Sequence, residues 1–192
     1  MSPVDAQDVD AAVAETLRIL TPVQDRDWGV RAGPLDWDCR RTAAHLAHDL
    51  TAYATQVTSG ASDAYLPLDL EVRPGAAPST ILRIVAACGG LLSAALRAAA
   101  PGARAWHWGP TDGAGFAALG VNETLNHTWD ITQGLGVPWN PPGDLCAAVL
   151  ARLFPDAPPG DPAEALLWCT GRIALPGRPR LTTWKLRAAV PG

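Results

Sequence analysis

Residues 115–133 read GFAALGVNETLNHTWDITQ, with Gly134 and Gly136 just beyond. The stretch carries no proline and its apolar residues recur at helical spacing, so it predicts a helix that the two glycines stop. At 100° per residue from Glu123, His127 falls at about 40° and Asp130 at about −20°. Phe116, Leu119 and Gly120 lie within about 60° of the same line. An acid, an imidazole and a second acid thus share a stripe with apolar neighbours, and that stripe is expected to face inward. A buried carboxylate needs a partner or loses its charge, and a bound cation is one such partner. The spacing Glu-x-x-x-His puts both side chains on one side of one turn, as two helical ligands of one metal require. It is equally the spacing of an ordinary i, i+4 ion pair.

A third ligand must come from another element. Histidine is scarce: His45, His48, His107 and His127 are all there are. A helix is predicted from about Asp38 to Thr58, with Asp38 as N-cap. Measured from His45, its apolar residues Cys39, Leu46, Leu50, Tyr53 and Val57 fall between about 80° and 140°. His45 therefore sits at one edge of the buried face. His48, at about 300°, points nearly opposite and is expected to be exposed. Phase thus selects His45 to join Glu123 and His127; the alternative is a boundary histidine with a single hydrogen bond. Two imidazoles, one carboxylate and an open position suit catalytic zinc, while nickel, cobalt or iron(II) accept the same donors.

Other residues carry smaller expectations. Asp49 and Asp130 could orient the ligand imidazoles, or could be surface or capping groups. Arg172 could hold a substrate carboxylate, or could simply face a helix C-terminal dipole. His107, in Trp106-His107-Trp108-Gly109-Pro110, is expected to be an exposed loop histidine rather than a fourth ligand.

The rest of the chain reads as helices between Pro/Gly-rich breaks. Helices are predicted over Val9–Leu20, from Pro78 or Ser79 to about Ala100, over Asp144–Leu153, and from Asp161-Pro162 to before Pro176. Alternating strand patterns are nearly absent. The expectation is all-α: one domain over residues 1–192, with a four-helix bundle over about 1–136 and a C-terminal extension of short helices over about 137–192.

Composition excludes several classes. The net charge of −4, without a basic stripe, argues against nucleic-acid binding. The N-terminus lacks a basic start and an apolar core, so no secretory signal is expected. The longest apolar run, Ile84–Leu96, is too short to span a membrane and predicts a buried core helix. The four cysteines form no C-x-x-C pair, which fits reduced, structural thiols in a cytoplasmic protein. Oligomeric state is left open between monomer and homodimer.

Three segments then carry a resemblance. Trp37-Asp38-Cys39-Arg40-Arg41-Thr42-Ala43-Ala44-His45-Leu46-Ala47 resembles the start of the second helix in DinB/YfiT-like proteins. It is most similar to the mycothiol-dependent maleylpyruvate isomerase family of actinobacteria. Asn122-Glu123-Thr124-Leu125-Asn126-His127-Thr128-Trp129-Asp130 and Leu166-Leu167-Trp168-Cys169-Thr170-Gly171-Arg172 match in the same order. The resemblance implies a DinB-like four-helix bundle and a divalent metal, usually zinc, on His45, Glu123 and His127. It also implies mycothiol as a co-substrate, and therefore a thiol S-transferase or isomerase whose partners are a small thiol and a small electrophile. Two further readings stand beside it. One is a metal-binding bundle without catalysis, with a regulatory or stress-related role; the other is a helical protein in which His45 never meets Glu123 and His127.

Overall fold

A computed structural model describes residues 3–190. Its helices are α1 (Ala6–Leu20), α2 (Cys39–Ser59), α3 (Pro78–Ala98), α4 (Gly113–Leu135), α5 (Gly143–Leu153) and α6 (Pro162–Cys169). Between α3 and α4 lies an antiparallel hairpin, β1 (Arg104–Trp106) and β2 (Pro110–Asp112).

The helix starts follow local chemistry. Asp5 closes a capping box on α1 with Asp8. Asp38, Asp112 and Asp161 each accept a backbone N–H in the first turn of α2, α4 and α6. Pro78 and Pro162 begin their helices where a missing N–H costs nothing. The stop of α4 separates its two glycines. Gly136 is the left-handed cap, with φ 64°. Gly134 lies inside the helix, and a Cβ there would run into the Arg31 carbonyl and the Cys39 sulfur. It is small because the loop before α2 crosses it.

Helices α1 to α4 form the bundle. Helix α2 packs on α3 and α4, and α1 packs on the same two, so α1 and α2 stand diagonally opposite. Helix α4 also carries α5, and α5 carries α6. Because α4 is covered on both sides, nearly its whole circumference is buried, including Asn122, Thr124, Asn126, His127, Thr128 and Asp130. Its polar residues find partners there: Thr128 shares a hydrogen bond of 2.7 Å with Thr16 of α1, and Thr170 donates to Asn126 at 2.7 Å. One apolar cluster runs from Val9, Leu50 and Leu92 through Leu119 and Leu125 to Val149 and Leu166. The all-α bundle with short C-terminal helices is therefore the observed architecture.

Several details depart from the expectations. The aromatic segment expected as a loop is a hairpin turn. Helix α6 does end before Pro176, as expected, but already at Cys169, because Gly171 turns left-handed (φ 71°) over Trp184. The apolar run from Ile84 belongs to a 21-residue helix that by length and composition alone could cross a membrane. Here it buries only one side, Ile81, Val85, Cys88 and Leu92, and leaves Leu91 exposed.

Candidate metal centre

Helices α2 and α4 bring His45 and His127 together, with ring centroids 5.2 Å apart and planes at 79°. Each imidazole has a carboxylate one turn away on its own helix. His45 Nε2 lies 3.1 Å from Asp49 Oδ2, and His127 Nε2 lies 3.3 Å from Glu123 Oε2. One potential ligand atom from each of His45, Asp49 and His127 falls within 4.8 Å of the others. Asp49, expected only to orient, thus joins the two imidazoles, whereas Glu123, expected as the carboxylate ligand, falls outside that set and lies against His127. Its signal was present in the sequence: His45-x-x-x-Asp49 has the same i, i+4 spacing as Glu123-x-x-x-His127.

Behind His127 stands a second layer. Its Nδ1 lies 3.1 Å from Oδ2 of Asp130, which is fully buried. The Arg172 guanidinium grips that carboxylate with two hydrogen bonds, Nε to Oδ1 at 3.2 Å and Nη2 to Oδ2 at 2.8 Å. Arg172 also donates to the Thr170 carbonyl. Its side chain is nearly buried, so its hydrogen-bonding capacity is spent inside the protein. With Asp130 accepting at Nδ1, the nitrogen turned toward the cluster is Nε2, which a metal could take once its proton leaves.

The electrostatics agree with this wiring. Burial alone would lower the His127 pKa, but hydrogen bonds to Asp130 and Glu123 and their charges overcome it and raise it to about 9. Burial likewise pushes the Glu123 carboxyl up, yet the His127 imidazole beside it brings it below the ordinary carboxylate value. The buried pair behaves as an ion pair, and a cation could replace its proton.

Two cavities flank His48, which lines both. One, of about 450 Å³, runs along Trp37 and His45, with Arg40, Arg41 and Arg73 on its walls. The other, of about 310 Å³, is bounded by Asp49, Tyr53, Tyr65, Trp106, His107 and Phe116. Neither histidine outside the cluster sits as expected. His48 is half-buried, because the connection after α2 folds back and the Leu70 N–H donates to its Nδ1 at 3.2 Å. His107 is 8% exposed, enclosed by Tyr53, Tyr65 and Phe116.

The protein's own thiols stand apart from this chemistry. All four cysteines are buried and unpaired. Burial, with nearby carboxylates adding to it, pushes the thiols of Cys39 and Cys146 up to about 12, and burial raises that of Cys169 as well. Such thiols are poor nucleophiles at neutral pH.

The family model of the mycothiol maleylpyruvate isomerase N-terminal domain matches residues 9–132. That span runs from α1 into the last turns of α4 and includes His45, Asp49, Glu123, His127 and Asp130. Arg172 lies beyond it. No curated protein and no solved structure matches the chain.

Proposed function

Since the chain belongs to the family of the mycothiol maleylpyruvate isomerase N-terminal domain, we propose that it is a metal-dependent thiol S-transferase or isomerase. Mycothiol is the thiol of this reading, and a small electrophile its acceptor. The observation that carries it is the meeting of two imidazoles from different helices, each beside a carboxylate. This donor set fits a divalent cation: zinc accepts two histidines and a carboxylate with one position left for substrate, and nickel, cobalt or iron(II) accept the same donors. His45, Glu123 and His127 would hold the ion, and Asp49 is near enough to add or exchange its carboxylate. Bound there, a divalent ion would lower the pKa of an incoming thiol and so favour the thiolate that attacks an electrophilic carbon.

The remaining work falls to side chains. Asp130 holds the proton of His127 on Nδ1, and Arg172 holds Asp130. Trp37 packs edge-on against the His45 ring, with centroids 4.8 Å apart, and fixes its tilt. The raised pKa values of Cys39, Cys146 and Cys169 favour a thiol brought from outside. In a transfer, the thiolate sulfur would bond to carbon while the leaving group departs with its electron pair. In an isomerisation, the sulfur would add and later be expelled.

The test begins with the metal content of the purified protein and its uptake of zinc and nickel. The loaded protein is then given mycothiol and monobromobimane, and conjugate fluorescence is followed against the uncatalysed rate. Metal-dependent conjugation that His127→Ala abolishes is expected. A protein that takes up no metal would sink the reading. Uptake without conjugation across several thiols and electrophiles would favour a metal-binding bundle with a regulatory role.

A further inference from the structure

The 310 Å³ cavity beside the cluster differs in chemistry from its neighbour. Tyr53 and Phe116 wall it from α2 and α4, Trp106 and His107 from the hairpin, and Tyr65 from the connection after α2. The rings meet edge to face, Tyr53 to His107 at 5.6 Å and Tyr65 to His107 at 5.9 Å between centroids. Asp49 lines the cavity and also belongs to the cluster of potential ligands, so the two spaces adjoin.

Most polar groups of the lining are already committed. Gln56 donates to the Ala61 and Ala64 carbonyls and accepts from Leu66, and so braces the wall. The Tyr65 hydroxyl accepts from the Trp108 N–H. His107 stands out: it is more than nine-tenths buried, and its enclosed Nδ1 has no hydrogen-bond partner. Buried polar atoms are rarely left unpaired, and this one belongs to a ring that lines the cavity. The backbone that presents His107 is itself unusual. Trp108, the next residue, adopts φ 54°, a left-handed conformation rare for a bulky side chain and concentrated at functional sites.

Charge narrows the occupant further. No arginine or lysine lines this cavity, while Asp49 and Asp69 do. Asp49 and Glu123 together would offset the charge of a divalent ion, and Arg172 is already neutralised by Asp130. A dicarboxylate would meet no cationic side chain here. Flat aromatic walls instead favour stacking or edge contacts with a planar molecule, and the volume lies at the small end of ligand pockets.

We propose that this aromatic chamber receives the electrophilic substrate, and that the substrate is a small, uncharged, planar carbonyl compound rather than a dicarboxylate. The inference rests on the thiol-transfer reading for the word "electrophilic" only. The chamber's preference for an uncharged planar molecule can be measured without any reaction.

The probe is syn-(methyl,methyl)bimane, a flat uncharged dicarbonyl with no leaving group, titrated by its own fluorescence into metal-free and zinc-loaded protein. One saturable site is expected, from which maleate does not displace it. Ala52→Trp, which fills the chamber from α2, should weaken binding at least tenfold. His107→Phe, which keeps the ring but removes its nitrogens, should weaken it roughly five- to tenfold, the scale of one hydrogen bond. The indole N–H resonance of Trp106 gives a second readout in the unaltered chain and should shift on titration. Unchanged binding in a natively folded Ala52→Trp, an unmoved Trp106 resonance, or displacement by maleate would overturn the proposal. Bimane binding with no thiol transfer would leave the chamber standing and remove the reaction. Thiol transfer with no bimane in the chamber would do the reverse.

Discussion

Zinc loading of the metal-free protein at neutral pH should expel nearly one proton, and that proton should come from His127. The imidazole has a carboxylate at each nitrogen, Asp130 at 3.1 Å and Glu123 at 3.3 Å, and side-chain exposure of only 6%. Those carboxylates raise its pKa to about 9 against the opposing effect of burial. A metal ligand must be the neutral imidazole, so binding has to displace the proton. A group titrating near 9 is about 99% protonated at pH 7 and about half protonated at pH 9. Proton release from His127 should therefore fall from close to one to about one half over that range, while apparent zinc affinity rises roughly tenfold from pH 7 to pH 8. Calorimetry at one pH in buffers of different ionisation enthalpy counts the protons directly. Release below about 0.2 protons at pH 7 would mean that His127 is neutral in the free protein and that the ion-pair picture of the site is wrong.

The same shift carries a sign for stability. The folded pKa of His127 lies above its ordinary value of 6.5, so its contribution is fully present below about pH 6.5 and is lost as pH rises through about 9. The span corresponds to about 3 kcal/mol. Denaturant midpoints of the metal-free protein should drop between pH 6.5 and pH 9.5, and zinc should largely remove the drop. Glu123 acts in the opposite sense. Its lowered pKa contributes stability above its ordinary value of 4.5, which is lost as pH falls through the folded value.

Three substitutions test the wiring around the site. Arg172→Ala leaves the fully buried Asp130 with His127 as its one charged partner and should cost about 3 kcal/mol in denaturant unfolding; a variant as stable as the parent but with a raised KM would return Arg172 to a substrate-holding role. Glu123→Gln should weaken zinc binding by at least about tenfold more than Asp49→Asn. The reverse order, read by competition with a chromophoric chelator, would make Asp49 the carboxylate ligand.

Much of the frame was legible in the residues themselves. Asp38 before α2 and Pro162 within α6 mark helix starts by chemistry that acts within one turn. The stripe of α4 also turned His127 and Asp130 inward, and both are buried, while Glu123 beside them stays half-buried. What the sequence could not reveal lies between elements. The hairpin strands have three residues each, too short for an alternating pattern to register. His48 does lie off the bundle's apolar face, as its phase requires, but the chain beyond Gly60 returns across it. His107 looked like a loop residue because its burial depends on Tyr53 and Phe116, which belong to two different helices.

Arg172 shows why the two kinds of information differ. Helical phase turned Asp130 inward, and an inward carboxylate must find a cation or a donor. Phase is blind to which one, because the candidate partners are arginines throughout the chain and a histidine three residues away. The structure supplies both at once: His127 Nδ1 on one side, Arg172 on the other. That double engagement matters for function. A carboxylate held only by His127 could swing when a cation arrives, whereas one clamped by a guanidinium keeps its position. Asp130 then continues to present an acceptor to Nδ1, and the only nitrogen of His127 left to exchange its proton for a metal is Nε2, the one that faces Glu123.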